Sequence, residues 1–402
     1  MRKCFIVAGL CLAAAIHGDV MMAQQSEASF PVLVIFRDDV PFESFLGSYH
    51  VDERTLENPA AWDYLDPGVV GAVQALEAAE GFRANHVYSA ALPGFAARLT
   101  ARQIGSLKNN LIVAFVEDDG VMSTDGQILP WGIDRIDADL SSTRAGDGSG
   151  AVTNVNAYII DTGIDVAHAD LNVVNHVNFA GDGVNTDCHG HGTHVAGTVA
   201  ARDNSSDVVG VAPGAPLSGV KVLTCSGSGS TSDVIKGVDW VTKNAVLPAI
   251  ANMSLGGGAN RTLDRAVKRS ANRIFYSIAA GNSGLDACGF SPAAAGSAAG
   301  VMTAAATDNG DQEPSWSNVG PCVEVWAPGV SIISTRLGGG TTTFSGTSMA
   351  APHVGGTAAL YLSSHPAASP ADVELALKND RLSPGTISKD GRPIACVYAG
   401  RY

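Results

Sequence analysis

From about Thr124 onward, apolar stretches alternate with glycine-punctuated segments of helical spacing, and that rhythm leaves few folds open. Residues 155–160, 217–223, 249–253 and 274–280 read as buried-type strands. Helical patterns lie among them at 191–201, 232–244 and 262–271. A strand that is apolar on both faces must be covered on both faces. The alternation therefore predicts a mainly parallel α/β sheet between two helical layers. Sheets of this kind carry their sites at the carboxyl ends of the strands. Three of the strands run straight into Asp161, Ser254 and Gly281-Asn282, which are the polar residues such a site would use.

The first third of the chain has a different texture. Arg2 and Lys3 precede an apolar run from Phe5 to Ile16 that is too short to span a bilayer, as in a secretory signal, with cleavage expected after Ala23. Residues 32–36, 87–88, 95–99 and 111–116 read as strands, and 67–80 and 100–107 as helices. The order βαββαβ predicts a small ferredoxin-like α+β domain. The acidic, turn-rich stretch beginning Glu117-Asp118-Asp119-Gly120 reads as its boundary. The expected division is a signal over 1–23, a small domain over 24–123 and the α/β domain over 124–402.

Composition excludes some functions. Net charge is −14 and no basic run is present, so nucleic acid is not an expected partner. No later segment is long and apolar enough to cross a membrane. Of seven cysteines, Cys4 and Cys11 would leave with the signal. Export permits disulfides, and the remaining five suggest two bridges and one spare thiol.

The chemistry centres on Phe344-Ser345-Gly346-Thr347-Ser348-Met349-Ala350-Ala351-Pro352-His353. Ser348 could simply start a closely packed helix. As a nucleophile it would need a base to take its proton and an acid to orient that base. Asp161 in Ile160-Asp161-Thr162-Gly163 and a histidine of Asp187-Cys188-His189-Gly190-His191-Gly192-Thr193-His194 supply both, in the chain order Asp, His, Ser. Asn282, in Ala280-Gly281-Asn282-Ser283-Gly284, reads on its own as a turn residue between glycines. Read alone, His189, His191 and His194 also fit a zinc-ligand spacing, H-x-H-x-x-H.

Taken together, IIDTGID, DCHGHGTHVAGTVA, LTCSGSGSTSDVIKGVDWV, ANMSLGGG, AAGNSG and FSGTSMAAPHVGG resemble the subtilisin-like serine peptidases, in particular the proteinase K-like branch. The blocks run in family order from about Pro130 to His365. The resemblance implies a three-layer α/β fold and a secreted endopeptidase, extracellular or else periplasmic. It casts Ser348 as nucleophile, His191 as base, Asp161 as orienting acid and Asn282 as oxyanion donor. Ser254, Leu255, Gly256 and Gly227 would line the substrate strand. Ala280 and Gly281 would help to wall a roomy first pocket for aromatic or large apolar side chains. The region from 30 to 120 is similar, more weakly, to the family's inhibitory prodomain, which assists folding and is removed by the enzyme itself near Ser123 or Thr124. The resemblance also implies disulfides Cys188–Cys225 and Cys288–Cys322, with Cys396 left over in an atypical tail. Calcium is the implied cofactor, with Glu324 at a ligand position and Asp134, Asp137 and Asp139 clustered where relatives bind it. Protein and peptide substrates, and the chain's own prodomain, are the implied partners of a monomer. A relative that binds peptides without cutting them would lack one of the triad residues; this chain has all three.

Overall fold

The structure, a computed structural model, describes residues 29–51, 65–119 and 126–402. The expected signal and the expected processing position near Ser123 lie outside the described residues. The chain divides into two compact units, Met1–Ser123 and Thr124–Tyr402.

In the first unit, strands β1 (Ser29–Phe36), β2 (Ala84–Tyr88), β3 (Gly94–Thr100) and β4 (Val113–Asp118) form an antiparallel sheet in the order β2-β3-β1-β4. Helix α1 (Pro67–Glu80) starts where Asp66 caps the amides of Gly68 and Val69 and ends at Gly81, whose φ of 72° suits glycine. Helix α2 (Ala101–Lys108) carries a capping box between Thr100 and Gln103. Val69, Val73 and Leu76 of α1 and Leu107 of α2 share one core with Val34, Phe95 and Leu99 of the sheet. This is the expected ferredoxin-like sandwich. The fourth strand begins later than expected, because Leu111 lies in an exposed turn.

The second unit is built on seven parallel strands. They are β5 (Asn156–Asp161), β6 (Val173–Asn178), β7 (Leu217–Lys221), β8 (Ala249–Met253), β9 (Phe275–Ala279), β10 (Val301–Thr307) and β11 (Val325–Pro328). Their order is β11-β10-β9-β8-β5-β7-β6. Successive residues of a strand face opposite ways, and β5 uses this to serve two cores. Ile159 packs with α3 (His191–Ala200), α6 (Thr347–Ser364) and α7 (Pro370–Asp380), whereas Tyr158 and Ile160 pack with α4 (Thr231–Asn244) and α5 (Arg261–Ser270). The helical layers therefore lie on both faces, as the apolar strands require.

Helix α6 is buried along nearly its whole length. A Cβ at Gly355 would stand 2.7 Å from Ser277 Oγ, and one at Gly356 only 2.5 Å from Val211 Cβ. Its small residues are the condition for that close approach. The C-terminal tail belongs to the core: the backbone of Cys396 pairs with that of Trp326 and of Leu382, and Val397 and Ala399 are fully buried.

Candidate active site

Strand β5 ends on Asp161, whose side chain is completely buried. Its Oδ1 accepts from the Thr162 amide at 2.7 Å and from His191 Nδ1 at 2.7 Å. Asp161 thus holds the Nδ1 proton and leaves His191 Nε2 as the free acceptor of the ring. Burial works against a charged imidazole, but the Asp161 charge and hydrogen bond outweigh it, with Asp187 adding to them, so the His191 pKa lies above the ordinary 6.5.

His191 opens α3 because Gly190, at φ 99°, turns the chain sharply just before it. That turn is tied down by the buried carboxylate of Asp187. It accepts from Thr162 Oγ1, from the amides of His189, Gly190 and Thr193, and from Thr193 Oγ1 at 2.6 Å. Those bonds outweigh burial and hold the Asp187 carboxyl below its usual range. The zinc spacing is not realised. His194 is buried, bonded through Nε2 to the Ile332 carbonyl and stacked on Phe344, and burial pushes its pKa down to about 4.

Ser348 is the second residue of α6. Its hydroxyl donates to the Ser254 carbonyl at 3.0 Å, while Ser254 Oγ donates to the Ser348 carbonyl at 2.7 Å. Beneath them Ser277 Oγ donates to Asn252 Oδ1, and Asn252 Nδ2 donates to Ser254 Oγ. This buried chain fixes the helix start to the end of β8 and, through Ser277, to the middle of β9. Asn282 is oriented by its oxygen: Oδ1 accepts from the Thr347 amide and from Thr347 Oγ1, both at 2.9 Å. Its Nδ2 makes no hydrogen bond among the described residues and remains available to donate. The loop that carries it is held by Asn318, which donates to the Ala280 carbonyl and accepts from the amides of Ser283 and Leu285. Gly281, at φ 103°, is required there, because a Cβ would meet Asn318 Nδ2 at 2.5 Å.

His191 and Ser348 line one cleft of about 420 Å³ with Gly227, Ser254, Leu255 and Gly256. A neighbouring cavity of about 270 Å³ is walled by Gly256, Ala280, Gly281, Asn282, Phe290 and Ser348. All the expected catalytic and substrate-lining residues therefore gather around Ser348. Chemically, the arrangement offers a hydroxyl, an imidazole base oriented by a carboxylate, and an amide donor.

A family model described as the subtilase family matches residues 154–390. The chain belongs to the subtilase family. A second model, peptidase inhibitor I9, matches residues 55–125. The chain is 44% identical over 319 residues to the alkaline serine exoprotease A of Vibrio alginolyticus, a match that covers 75% of this chain and 57% of that protein. It is 42% identical over 313 residues to the extracellular serine proteinase of Thermus sp. strain Rt41A, covering 74% and 73%. It is 34% identical over 398 residues to the alkaline elastase YaB of Bacillus sp. strain YaB, covering 98% and 97%. A solved cold-adapted subtilisin-like serine proteinase superposes with a TM-score of 0.60 at 41% identity, covering 68% of this chain and 99% of that one. The fold is therefore subtilisin-like, as the motifs implied.

Both implied disulfides of this subtilase are present, Cys188–Cys225 and Cys288–Cys322. The first ties the loop before His191 to the segment that carries Gly227. Cys396 is the spare thiol, buried, with its pKa pushed up to about 12 by that burial.

Subtilases generally bind structural calcium, and the residues here test where. Glu324 does not fit: its Oε1 already binds the Lys378 ammonium, while burial pushes its carboxyl up to about 7. Near the start of the unit, Asp139 Oδ1 is buried without a partner among the described residues. Burial and the nearby Asp134 charge hold its pKa above the ordinary range.

Sequence reasoning missed Asp187, Asn318, Asn252, Ser277 and Phe290 as site-builders, and also Lys221. Lys221 is fully buried, pairs with Asp182 at 3.2 Å and donates to the Thr162 carbonyl at 2.9 Å. A lysine inside an apolar strand was the available signal for it.

Replacing Asp187 with Ala would strand five donors around the His191 turn. The expected loss in denaturant unfolding, in a Ser348→Ala background that prevents self-digestion, is roughly 3 kcal/mol or more. A loss below about 1 kcal/mol would show that the carboxylate does not organise the turn.

Proposed function

We propose that the chain is a secreted serine endopeptidase acting through an acyl-enzyme, with Ser348 as nucleophile. The observation that carries this reading is the Asp161–His191 bond of 2.7 Å, which orients an imidazole lining the same cleft as Ser348. To react, Ser348 Oγ leaves the Ser254 carbonyl, passes its proton to His191 Nε2 and attacks the scissile carbonyl. The new oxyanion accepts hydrogen bonds from Asn282 Nδ2 and the Ser348 amide. His191 then gives its proton to the departing amine, leaving an ester on Ser348. Water, deprotonated by His191, attacks that ester; His191 returns the proton to Ser348 Oγ as the bond to it breaks and the acid product leaves. Asp161 stabilises the imidazolium that forms in each half-reaction.

The glycine-rich segments around Gly227 and Gly256 leave backbone groups uncovered, which suits a substrate added as an extended strand. The 270 Å³ cavity, walled largely by glycine and alanine with Phe290 at one side, suits an aromatic or large apolar side chain on the acyl side of the cut, with broad tolerance elsewhere. The match to the I9 inhibitor model supports a prodomain that inhibits in cis and is removed by the enzyme itself. Export is supported by the N-terminal sequence and by the extracellular relative from Thermus. Among the described residues no helix is long and apolar enough to cross a membrane. We assign structural calcium to the Asp134–Asp139 segment, where a buried carboxylate oxygen lacks a partner, and take the working form to be a monomer.

The reading is tested by treating the purified chain with a fluorophosphonate and mapping the adduct. Ser348 carries it if the proposal holds; a chain that hydrolyses peptides without labelling there contradicts it. Asn282→Ala should still label but lose about 100- to 1000-fold in kcat, the range found for such a donor in another member of this family. Because the base must be neutral and its pKa is raised, kcat/KM should climb with pH through a midpoint above 6.5. An optimum near pH 4 would exclude His191 as the base.

A further inference from the structure

A cluster of charged side chains lies beside β11, away from the cleft. Glu324 directly precedes that strand, and Glu374 and Lys378 are one turn apart on α7. The four-residue spacing stacks the two side chains on one helix face. Lys378 Nζ donates to Glu374 Oε1 at 2.5 Å and also to Glu324 Oε1. The other Glu374 oxygen accepts from the Gly300 amide at 2.6 Å. Arg381 donates to the Glu324 backbone carbonyl at 2.5 Å and to the Lys378 carbonyl at 2.9 Å.

The two carboxylates are largely buried, with side-chain exposures of 10% and 13%. Two negative charges meet two positive ones, so the corner is neutral as it stands. A divalent ion on Glu324 would lie against an ammonium and a guanidinium in a region of low dielectric, where like charges repel strongly. Calcium also wants six to eight oxygen ligands. Of the carboxylate oxygens of Glu324 and Glu374, only Glu324 Oε2 is without a partner among the described residues.

We propose that the Lys378 ammonium is the resident cation of the Glu324–Glu374 pair and replaces a divalent ion there. Strand β11, α7 and the Gly300 turn are thereby held together without metal. Any calcium response of the whole chain then arises elsewhere and does not depend on Glu324.

The test is thermal unfolding of the full chain carrying Ser348→Ala, in excess EDTA and in millimolar calcium. With Lys378 present, Glu324→Gln should leave the calcium-induced rise in Tm unchanged. Lys378→Met should lower Tm in EDTA by about 5 °C or more, because it leaves two buried carboxylates without their cation. It should also gain a new calcium-dependent rise, which adding Glu324→Gln removes. Three results would overturn the proposal: a smaller calcium response in Glu324→Gln, an unchanged Tm in EDTA for Lys378→Met, or a destabilised Lys378→Met that gains no calcium response. If Lys378→Met does not fold, the Glu324→Gln comparison decides alone.

Discussion

A carboxylate is buried at the end of β5, an interior strand of the sheet, and the residues around the cleft are arranged about it. Asp161 has no solvent contact, and only one of its oxygens has partners among the described residues. A lone buried carboxylate would be costly. The Thr162 amide and His191 offset that cost, and the same bond that makes the charge tolerable also orients the imidazole, as the proposed base requires. One step outward, the Thr162 hydroxyl donates to Asp187 and accepts from the Gly192 amide, while its carbonyl accepts from Lys221. Stability and function are thus linked through a few polar contacts rather than assigned to separate regions.

The serine is placed by a different device. Helix α6 can approach β9 and Val211 only because its contacting residues are glycines. Its first turn is then pinned by the chain from Ser277 through Asn252 to Ser254. Apolar packing brings the helix near, and the buried polar chain sets its register. Asn282 is oriented through Thr347, the residue just before Ser348, so the proposed nucleophile and the proposed amide donor are positioned from the same point.

Much of this was legible in the sequence, for a physical reason. Parallel strands bring their carboxyl ends to one edge, so Asp161, Ser254 and Asn282 could be gathered there from strand endings alone. Helix boundaries were legible where capping chemistry is local, as at Thr100 and Gly81. What stayed hidden depends on distant partners. Asn318 reads as a loop residue until its bonds to Ala280, Ser283 and Leu285 are known. Strand β6 is an edge strand with a polar composition, and β10 is rich in alanine, which favours neither state clearly. Glu324 matched a calcium position by motif, yet its partner lies on α7, far along the chain, where no local pattern pairs them. The motif located the carboxylate but not its counter-charge.

The central claim is that Ser348, served by His191 and Asp161, cuts peptide bonds, beginning with its own chain. The most direct test is the intact mass of the exported protein, wild type beside Ser348→Ala. The account predicts that wild type loses residues 24–123 while the Ser348→Ala chain keeps them joined. Identical trimming of both, or of neither, would contradict it.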